Sequence, residues 1–313
     1  MRAVQYTGPG SASDVITAVD LPEPEPAEGE VLVRVGAVGI NPVDVKIRAA
    51  ARDFGVIRYS DRPGWDVAGT VAAVGPGVER WSVGDRVFAL AAFPDAAHTL
   101  AEYAVVADAD LAPVPSAWST AEAGAAPLAA LTAWQALEAA GVREGQRVLV
   151  LGGAGGVGHL AVQLARARGA EVVATASPAK HDLVRGWGAR QVVDYLDEEA
   201  LASVEPVDAV IVTVDHTLPP RQSVAEGTAV ITITGLSDDD AQRLTAWGAS
   251  PVRRILVSAN GAQLGSVGDA AVRGEVAVHL DSRFGLDELV AAHRRVESGR
   301  ATGKVVVIVA PDV

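Results

Sequence analysis

The sequence predicts an α/β chain of two domains, a mostly β domain followed by a parallel α/β sheet of the doubly wound kind. Three observations carry this. The 313 residues are about twice the length of a typical domain. The first hundred carry short period-2 segments broken by Gly and Pro, and the middle of the chain alternates apolar strands with helical segments around a glycine-rich turn.

The elements follow in order. Val31, Val33 and Val35 alternate with Leu32, Arg34 and Gly36 as a strand, and Val67 to Val74 and Arg86 to Leu90 read as two more. Pro22 to Pro26, with proline at every second position, is a stiff solvated connector, because proline has no N–H for a central ladder. After Pro115 the texture changes. Ser119 to Ala140 is rich in Ala and Leu and helical, divided near Gly124 and Pro127. Arg147 to Leu151 is a buried strand followed by a helix over His159 to Arg168. Glu171 to Thr175 is a strand before a helix near Ala179 to Trp187. Further strands are expected at Gln191 to Val193, Asp208 to Val214, Ala229 to Thr234 and Arg254 to Ser258. The end returns to a helix over Phe284 to Glu297 and a strand over Gly303 to Val309, which by pattern alone belongs to either sheet.

Composition narrows the function. With 49% apolar and 21% charged residues the chain buries a substantial core, and its 4% aromatic content leaves packing to Ala, Val and Leu. The 26 basic and 39 acidic residues give a net charge of −13 with no Lys/Arg cluster, so no nucleic-acid partner is expected. The absence of cysteine excludes disulfides, thiolate catalysis and cysteine-ligated zinc or iron–sulfur centres. The start, MRAVQYTGPG, has no basic flank before an apolar run, and no 18-residue apolar stretch occurs, so a soluble cytoplasmic protein without a membrane partner is expected.

The strongest local signal is the strand ending at Leu151 followed by Gly152-Gly153-Ala154-Gly155-Gly156-Val157-Gly158 and a helix. Gly153, Gly155 and Gly158 stand at G-x-G-x-x-G spacing. The first glycines permit a tight turn and bring the backbone, with Gly156 and Val157, to a pyrophosphate at the helix N-terminus; Gly158 permits close helix–strand contact. The bland alternative is a flexible glycine loop. At the end of the second strand, where an acid would hold the ribose hydroxyls of NAD, the chain reads Ala174 to Lys180 with no carboxylate between Glu171 and Asp182. Ser177 and Lys180 suit a 2′-phosphate, which favours NADPH over NADH, although Lys180 also fits an ordinary surface lysine. Tyr195 lies beyond the third strand, either toward that phosphate or in the core.

Several further segments together resemble the zinc-independent quinone oxidoreductase branch of the medium-chain dehydrogenase/reductase family. They are Gly39 to Asp44 (GINPVD), Pro63 to Val71 (PGWDVAGTV), Val83 to Val87 (VGDRV), Ala101-Glu102-Tyr103, Leu131 to Trp134 (LTAW), the glycine loop and Gly299 to Val307. The resemblance spans nearly the whole chain. It implies a GroES-like β domain holding both chain ends and an inserted Rossmann domain, with boundaries at 1–118, 119–261 and 262–313, and it sends the last strand back to the first domain. It also implies departures from the zinc alcohol dehydrogenases. Asn41 stands near their first cysteine ligand and Trp65 at a histidine ligand, so no inner shell for a metal is expected and none of the six scattered histidines completes one.

The chemistry implied is hydride transfer from NADPH to a small hydrophobic quinone. Reduction of the C=C bond of an α,β-unsaturated carbonyl by an enone, alkenal or enoyl reductase is the alternative. A catalytically idle NADPH-binding protein is the alternative outside enzymes. For the acceptor side the resemblance implies Asn41 near nicotinamide and acceptor, against a turn former before Pro42; Lys46, where several quinone reductases have tyrosine, as an oxyanion or cofactor contact, against a peripheral ion pair; and Tyr59 at the acceptor mouth. Thr132 is placed near nicotinamide, against a core-facing helix residue. Asp215, His216, Gly235 and Leu236 follow the fourth and fifth strands on the side where ligands of such sheets bind, and the resemblance implies that Ser258 and Asn260 run beside nicotinamide and substrate. His216 also suits a plain hydrogen-bonding role. A homodimer is expected, joined through a sheet edge at Val230 to Thr234 and Ile255 to Val257.

Overall fold

The computed structural model describes residues 1–50, 55–57, 59–215 and 217–310. By compactness the chain forms two units, Met1–Leu131 with Ser258–Gly274 and 278–310, and Thr132–Val257 with Glu275–Ala277.

In the first unit β1 (Arg2–Tyr6) leads through α1 (Ala12–Val15) to β2 (Ile16–Asp20), its antiparallel partner. The expected connector over Pro22 to Pro26 is irregular. Next come β3 (Glu30–Ile40), α2 (Pro42–Ala50), β4 (Asp66–Val74), β5 (Arg86–Leu90), β6 (Tyr103–Ala107) and β7 (Ala112–Pro113). α3 (Thr120–Ala125) follows, and α4 (Pro127–Ala139) carries the chain into the second unit.

Valine-rich β3 is the centre of this unit. It pairs with β4 and β6, and at its end with β15 (Lys304–Ile308), so residues 31–40 are buried except Arg34. The period-2 pattern identified the strand, but burial on both faces erases the in–out contrast it normally marks. Because β15 pairs antiparallel with β3, the closing strand belongs to the first unit. Its other neighbour, β14 (Leu280–Gly285), corrects the expected helix over Phe284 to Glu297. Phe284 pairs with Val307 in a parallel ladder, the Gly285 N–H donates to Glu288 Oε2 at 2.8 Å, and α10 begins only at Leu289, running to Glu297. Strand pairing at long range outweighed helical spacing there.

α2 and α10 are tied by a fully buried arginine that sequence inspection passed over. Arg48 donates to the Gly10 carbonyl, pairs with Glu297 and gives its Nε–H to His293 Nδ1 at 3.3 Å. Burial, helped by the Arg48 charge, pushes the His293 imidazolium down to about 3, so the ring is neutral and its Nδ1 is the acceptor.

The second unit is a six-stranded parallel sheet. Its strands are β8 (Arg147–Leu151), β9 (Glu171–Thr175), β10 (Gln191–Val193), β11 (Val207–Val212), β12 (Val224–Thr232) and β13 (Val252–Arg254), in the order β10-β9-β8-β11-β12-β13. The chain starts at the middle, winds outward, returns beside β8 and winds outward the other way, which is the doubly wound order. The helices of this unit are α5 (Gly158–Ala167), α6 (His181–Gly186), α7 (Glu198–Ala202) and α8 (Asp238–Ala246). Its core gathers Leu149, Leu151, Val173, Val210, Val212 and Val230 with Leu244 of α8.

Two expectations about the far strands are corrected. The last strand lies at Val252–Arg254, starting directly after Pro251, and Ser258 is outside it. Val230 to Thr232 belongs to β12, which is bonded to β11 and β13, so it is an interior strand and β13 is the edge.

The compact division lies at 131/132 and 257/258, beside the 118/119 and 261/262 junctions that the resemblance implies. α3 lies against β3 so closely that a Cβ on Gly124 would stand 2.5 Å from the Ala37 carbonyl oxygen. α9 (Gly261–Val272) packs on β7. Residues 275–277 go with the second unit, where Gln163 exchanges hydrogen bonds with both backbone groups of Ala277 at 2.8 and 2.9 Å.

Candidate functional site

Each unit brings together one cluster of the expected residues. In the second unit β8 delivers the chain into Gly152, whose φ of +84° suits glycine. Its N–H donates to Thr175 Oγ1 and the Gly153 N–H to the Thr175 carbonyl, both at 2.9 Å, so the turn is pinned to the end of β9. Thr213 clasps the other side, its hydroxyl donating to the Leu151 carbonyl at 2.7 Å. Sequence inspection missed both threonines; their place at the ends of two strands was the only signal. Gly155 closes the turn on the Gly152 carbonyl at 3.0 Å.

The glycines are needed for space. A Cβ on Gly158 would stand 2.0 Å from the Gly152 carbonyl oxygen, and one on Gly153 would stand 2.8 Å from Ala174 Cβ. Gly156 and Val157 complete the turn, and Val157 precedes α5 without any side-chain cap. The start of a ten-residue helix is thus left to backbone amides and its positive dipole end, as an anionic phosphate requires. The cradle fits a dinucleotide pyrophosphate.

Because the sheet is parallel, the ends of β8, β9, β11 and β12 lie along one border of it, and the reversal of winding falls between β8 and β11. Ser177 and Lys180 bracket the single turn after β9, half-buried, and Ser177 spends no side-chain hydrogen bond on capping that turn. Tyr195 is 51% exposed, which removes core packing as its role. Asp215 is exposed after β11, and its carbonyl accepts the Thr217 hydroxyl at 3.1 Å. Gly235 is exposed after β12, and Leu236 leans on the core of the unit. Thr132 is buried in α4. His216 lies outside the described residues. His159 is fully buried, its Nδ1 at 3.0 Å from the Gly155 carbonyl and its ring 5.4 Å from that of Trp187, so it braces the glycine turn.

In the first unit Asn41 is 1% exposed and held at three points. Its N–H donates to Asp44 Oδ2 at 2.8 Å, its Nδ2 donates to Asp66 Oδ2 at 2.8 Å, and its Oδ1 accepts the ammonium of Lys304. It is therefore both the turn former and a fixed carboxamide. Asp66, fully buried, also accepts the Leu128 N–H at 2.6 Å and stands 3.6 Å from Lys304 Nζ. With those donors it is the carboxylate of a buried ion pair.

Burial pushes both Asp66 and the Lys304 ammonium toward their neutral forms, and each opposes the shift in the other. Asp44 is a second buried carboxyl beside the single ammonium. Burial raises its carboxyl to about 7, the Asn41 N–H pulls it down, and the neighbouring Asp66 charge adds to the rise. In the sequence Lys304 stands in a strand and Asp66 in the PGWDVAGTV segment, and nothing local marks them as partners.

The other residues expected on the acceptor side are less enclosed. Lys46 is exposed on α2, and Tyr59 is half-buried with its phenol raised by burial and then by Asp61. Ser258 is exposed. Asn260 caps α9, accepting the Gln263 N–H on Oδ1 at 2.9 Å.

A zinc ion finds no fitting donor set here. Asn41 is engaged as described, and Trp65 is buried, donating its indole N–H to the Asp95 carbonyl at 2.7 Å and stacking edge-on to Phe93. Asp66 is directed at two amides and an ammonium, and Asp44 gives one oxygen to the Asn41 N–H. Among the described residues no group of three or more metal-binding side chains gathers. No helix among them is long and apolar enough to cross a membrane.

Residues 27–116 match the alcohol dehydrogenase GroES-like domain and residues 187–307 the zinc-binding dehydrogenase family. A 2-methylene-furan-3-one reductase of Solanum lycopersicum is 35% identical over 98% of this chain and 79% of its own length. An NADPH-dependent alkenal/one oxidoreductase of Arabidopsis thaliana, chloroplastic, is 33% identical over 99% of this chain and 80% of its own. The solved quinone oxidoreductase of Coxiella burnetii superposes with a TM-score of 0.85 at 32% identity, covering 99% of both chains. The doubly wound sheet with its glycine cradle, the β unit holding both chain ends and these likenesses make the chain a member of the medium-chain dehydrogenase/reductase family of oxidoreductases. Within it, the chain falls in the zinc-independent branch related to quinone oxidoreductases, whose members reduce quinones or enones.

Proposed function

We propose that the protein uses NADPH to reduce a small hydrophobic quinone without a metal ion. One observation carries the reading. Where a metal-dependent relative would polarise an alcohol, this chain has a locked carboxamide, Asn41, and an engaged indole, Trp65. The acceptor must then arrive already electron-poor, as a quinone or conjugated carbonyl does.

NADPH, when bound, supplies the hydride from C4 of its nicotinamide. The chain's part is positioning and charge. The glycine cradle and the start of α5 take the pyrophosphate, and Ser177 and Lys180 the 2′-phosphate, with Tyr195 beside them. Thr132, Asp215, Gly235, Leu236 and Ser258 are assigned to the remainder of the cofactor. The second N–H of the Asn41 carboxamide is assigned to the acceptor or nicotinamide carbonyl, and Lys46 and Tyr59 serve as donors to the oxyanion that develops. Asn260 acts through its cap on α9, which sets the course of the preceding segment. A homodimer joined through β13 completes the reading, since that strand is one of the two sheet edges.

Lys180→Ala is expected to raise the Michaelis constant for NADPH about tenfold, equivalent to about 1.4 kcal/mol, and to leave that for NADH unchanged. Equal effects on both cofactors would remove the phosphate assignment.

Enone reduction is the second reading, favoured by the furanone reductase and alkenal/one oxidoreductase among the relatives. Anaerobic NADPH oxidation with benzoquinones, naphthoquinones, alkenals and enones, with product analysis, separates the two. Higher kcat/KM on quinones with hydroquinone as product is expected. Saturated carbonyl products at higher kcat/KM would give the assignment to the enone reductases, and tight NADPH binding without turnover on any acceptor would leave a binding protein.

A further inference from the structure

Two buried polar atoms of the first unit have no hydrogen-bond partner among the described residues, and their side chains line one small cavity: the hydroxyl of Tyr6 on β1 and Oδ1 of Asp44 on α2. Tyr6 is 3% exposed and Asp44 1%. The cavity holds about 10 Å³, and Ser60, Arg62 and Trp65 contribute to its walls. That is about the space of one water. An unsatisfied buried carboxylate oxygen and phenol are each costly, and one water between them would serve both. A metal cation would find few oxygens here and the Arg62 side chain in the wall.

We propose that Tyr6 and Asp44 bind a single water molecule in this cavity, and that Asp44, hydrated there, is a positioning residue for Asn41 whose protonation sets the alkaline limit of turnover. The second half rests on the reading that Asn41 faces the acceptor. Asp44 Oδ2 is occupied by the Asn41 N–H, so the acidic proton resides on Oδ1 and is shared with the water. In that state Lys304 answers one carboxylate, Asp66, and keeps its bond to Asn41 Oδ1. Ionisation of Asp44 sets two buried carboxylates against one ammonium, which loosens Lys304 from the carboxamide it orients.

The groups that bear on this titration are Asp66 on β4, Lys304 on β15 and Tyr6 on β1; Arg48 on the same helix and Tyr59 act on Tyr6, His293 of α10 lies edge-on to its ring, and Arg62 stands in the cavity wall. The position of Asp44 near pH 7 fits this balance of burial against Asn41 and Lys304.

The test uses the full chain with Tyr6→Phe and Asp44→Asn, which alter few atoms. Infrared difference spectra taken against pH should show one protonated buried carboxyl titrating near neutrality, absent from Asp44→Asn and moved upward by about one pH unit in Tyr6→Phe, where the donor that steadies the anion through the water is gone. A crystal structure should show a water bonded to both atoms. In turnover, the alkaline fall of kcat/KM for the acceptor should move upward in Tyr6→Phe and vanish in Asp44→Asn. A cavity without that water, or a carboxyl titration unmoved by Tyr6→Phe, overturns the site. An unmoved alkaline limb in either variant overturns the positioning role, since a merely structural side chain would change stability and not the limb. Should no acceptor be reduced, the functional reading fails alone, and the infrared titration and the water still decide the site.

Discussion

Lys304→Met is expected to lower the stability of the first unit by about 3–5 kcal/mol, the range for removing one partner of a buried ion pair. Lys304 is 3% exposed and Asp66 fully buried, so the Asp66 charge that remains has no solvent to turn to, and Asn41 Oδ1 loses its donor as well. Urea unfolding followed by tryptophan fluorescence reads the loss as an earlier first transition. Lys304→Met with Asp66→Asn should recover a large part of it, because the second change removes the stranded charge. A single substitution costing less than about 1 kcal/mol would mean that the pair is neutral in the folded state. Turnover should fall further than stability predicts under conditions where the variant is fully folded, since the Asn41 carboxamide is then held only through its bond to Asp66. That excess is what distinguishes a locked carboxamide from a merely packed one.

Gly158→Ala should abolish detectable NADPH binding, weakening it at least a hundredfold, or about 2.7 kcal/mol. The new Cβ would stand 2.0 Å from the Gly152 carbonyl oxygen and 2.9 Å from Gly153 Cα, and both neighbours are backbone. Neither can swing aside as a side chain would. The turn must open, and with it the hydrogen bonds of Gly152 and Gly153 to Thr175. Titration calorimetry measures the loss directly. Gly265→Ala is the control. It lies within α9 with open space around the position of a Cβ, so a gain of about 0.5–1 kcal/mol from helix propensity and no change in NADPH binding are expected. A Gly158→Ala variant that binds NADPH normally would show that the cradle tolerates a wider helix–strand gap than its backbone suggests.

The legibility of the fold followed the range of the forces involved. Val148 to Leu151, the glycines and the apolar stripe of α5 lie within about twenty residues, and each signals its own conformation, so strand, turn and helix were readable together with the chemistry of a phosphate cradle. The helices of 120–125 and 127–139 are likewise divided by their own Pro127, whereas Gly124 lies inside the first of them, where it allows the close approach to β3. Where a distant strand intervened, local signals misled. Phe284 fitted the spacing of a helix and became a strand residue through Val307. Val230 to Thr232, apolar and β-branched, suits an edge or an interior equally, and only the partner β13 shows it to be interior.

The candidate site divides in the same way. The residues of the cradle were found one by one, because a glycine required for close approach declares itself by having no side chain. Asn41 was found as a position, but the reason for its orientation was not, since its partners stand 25 and 263 residues away. Sequence by itself determined the two-unit α/β architecture, the glycine cradle between strand and helix, and the lack of cysteine donors for a metal; all three depend on composition or on neighbours along the chain. Only the tertiary structure decided the pairing of Lys304 with Asp66 across Asn41, the enclosure of Arg48 and the cavity shared by Tyr6 and Asp44. In a buried site the state of a charge is set by what lies across from it through a few ångströms of low dielectric, and that neighbour is chosen by the packing of strands far apart in the chain.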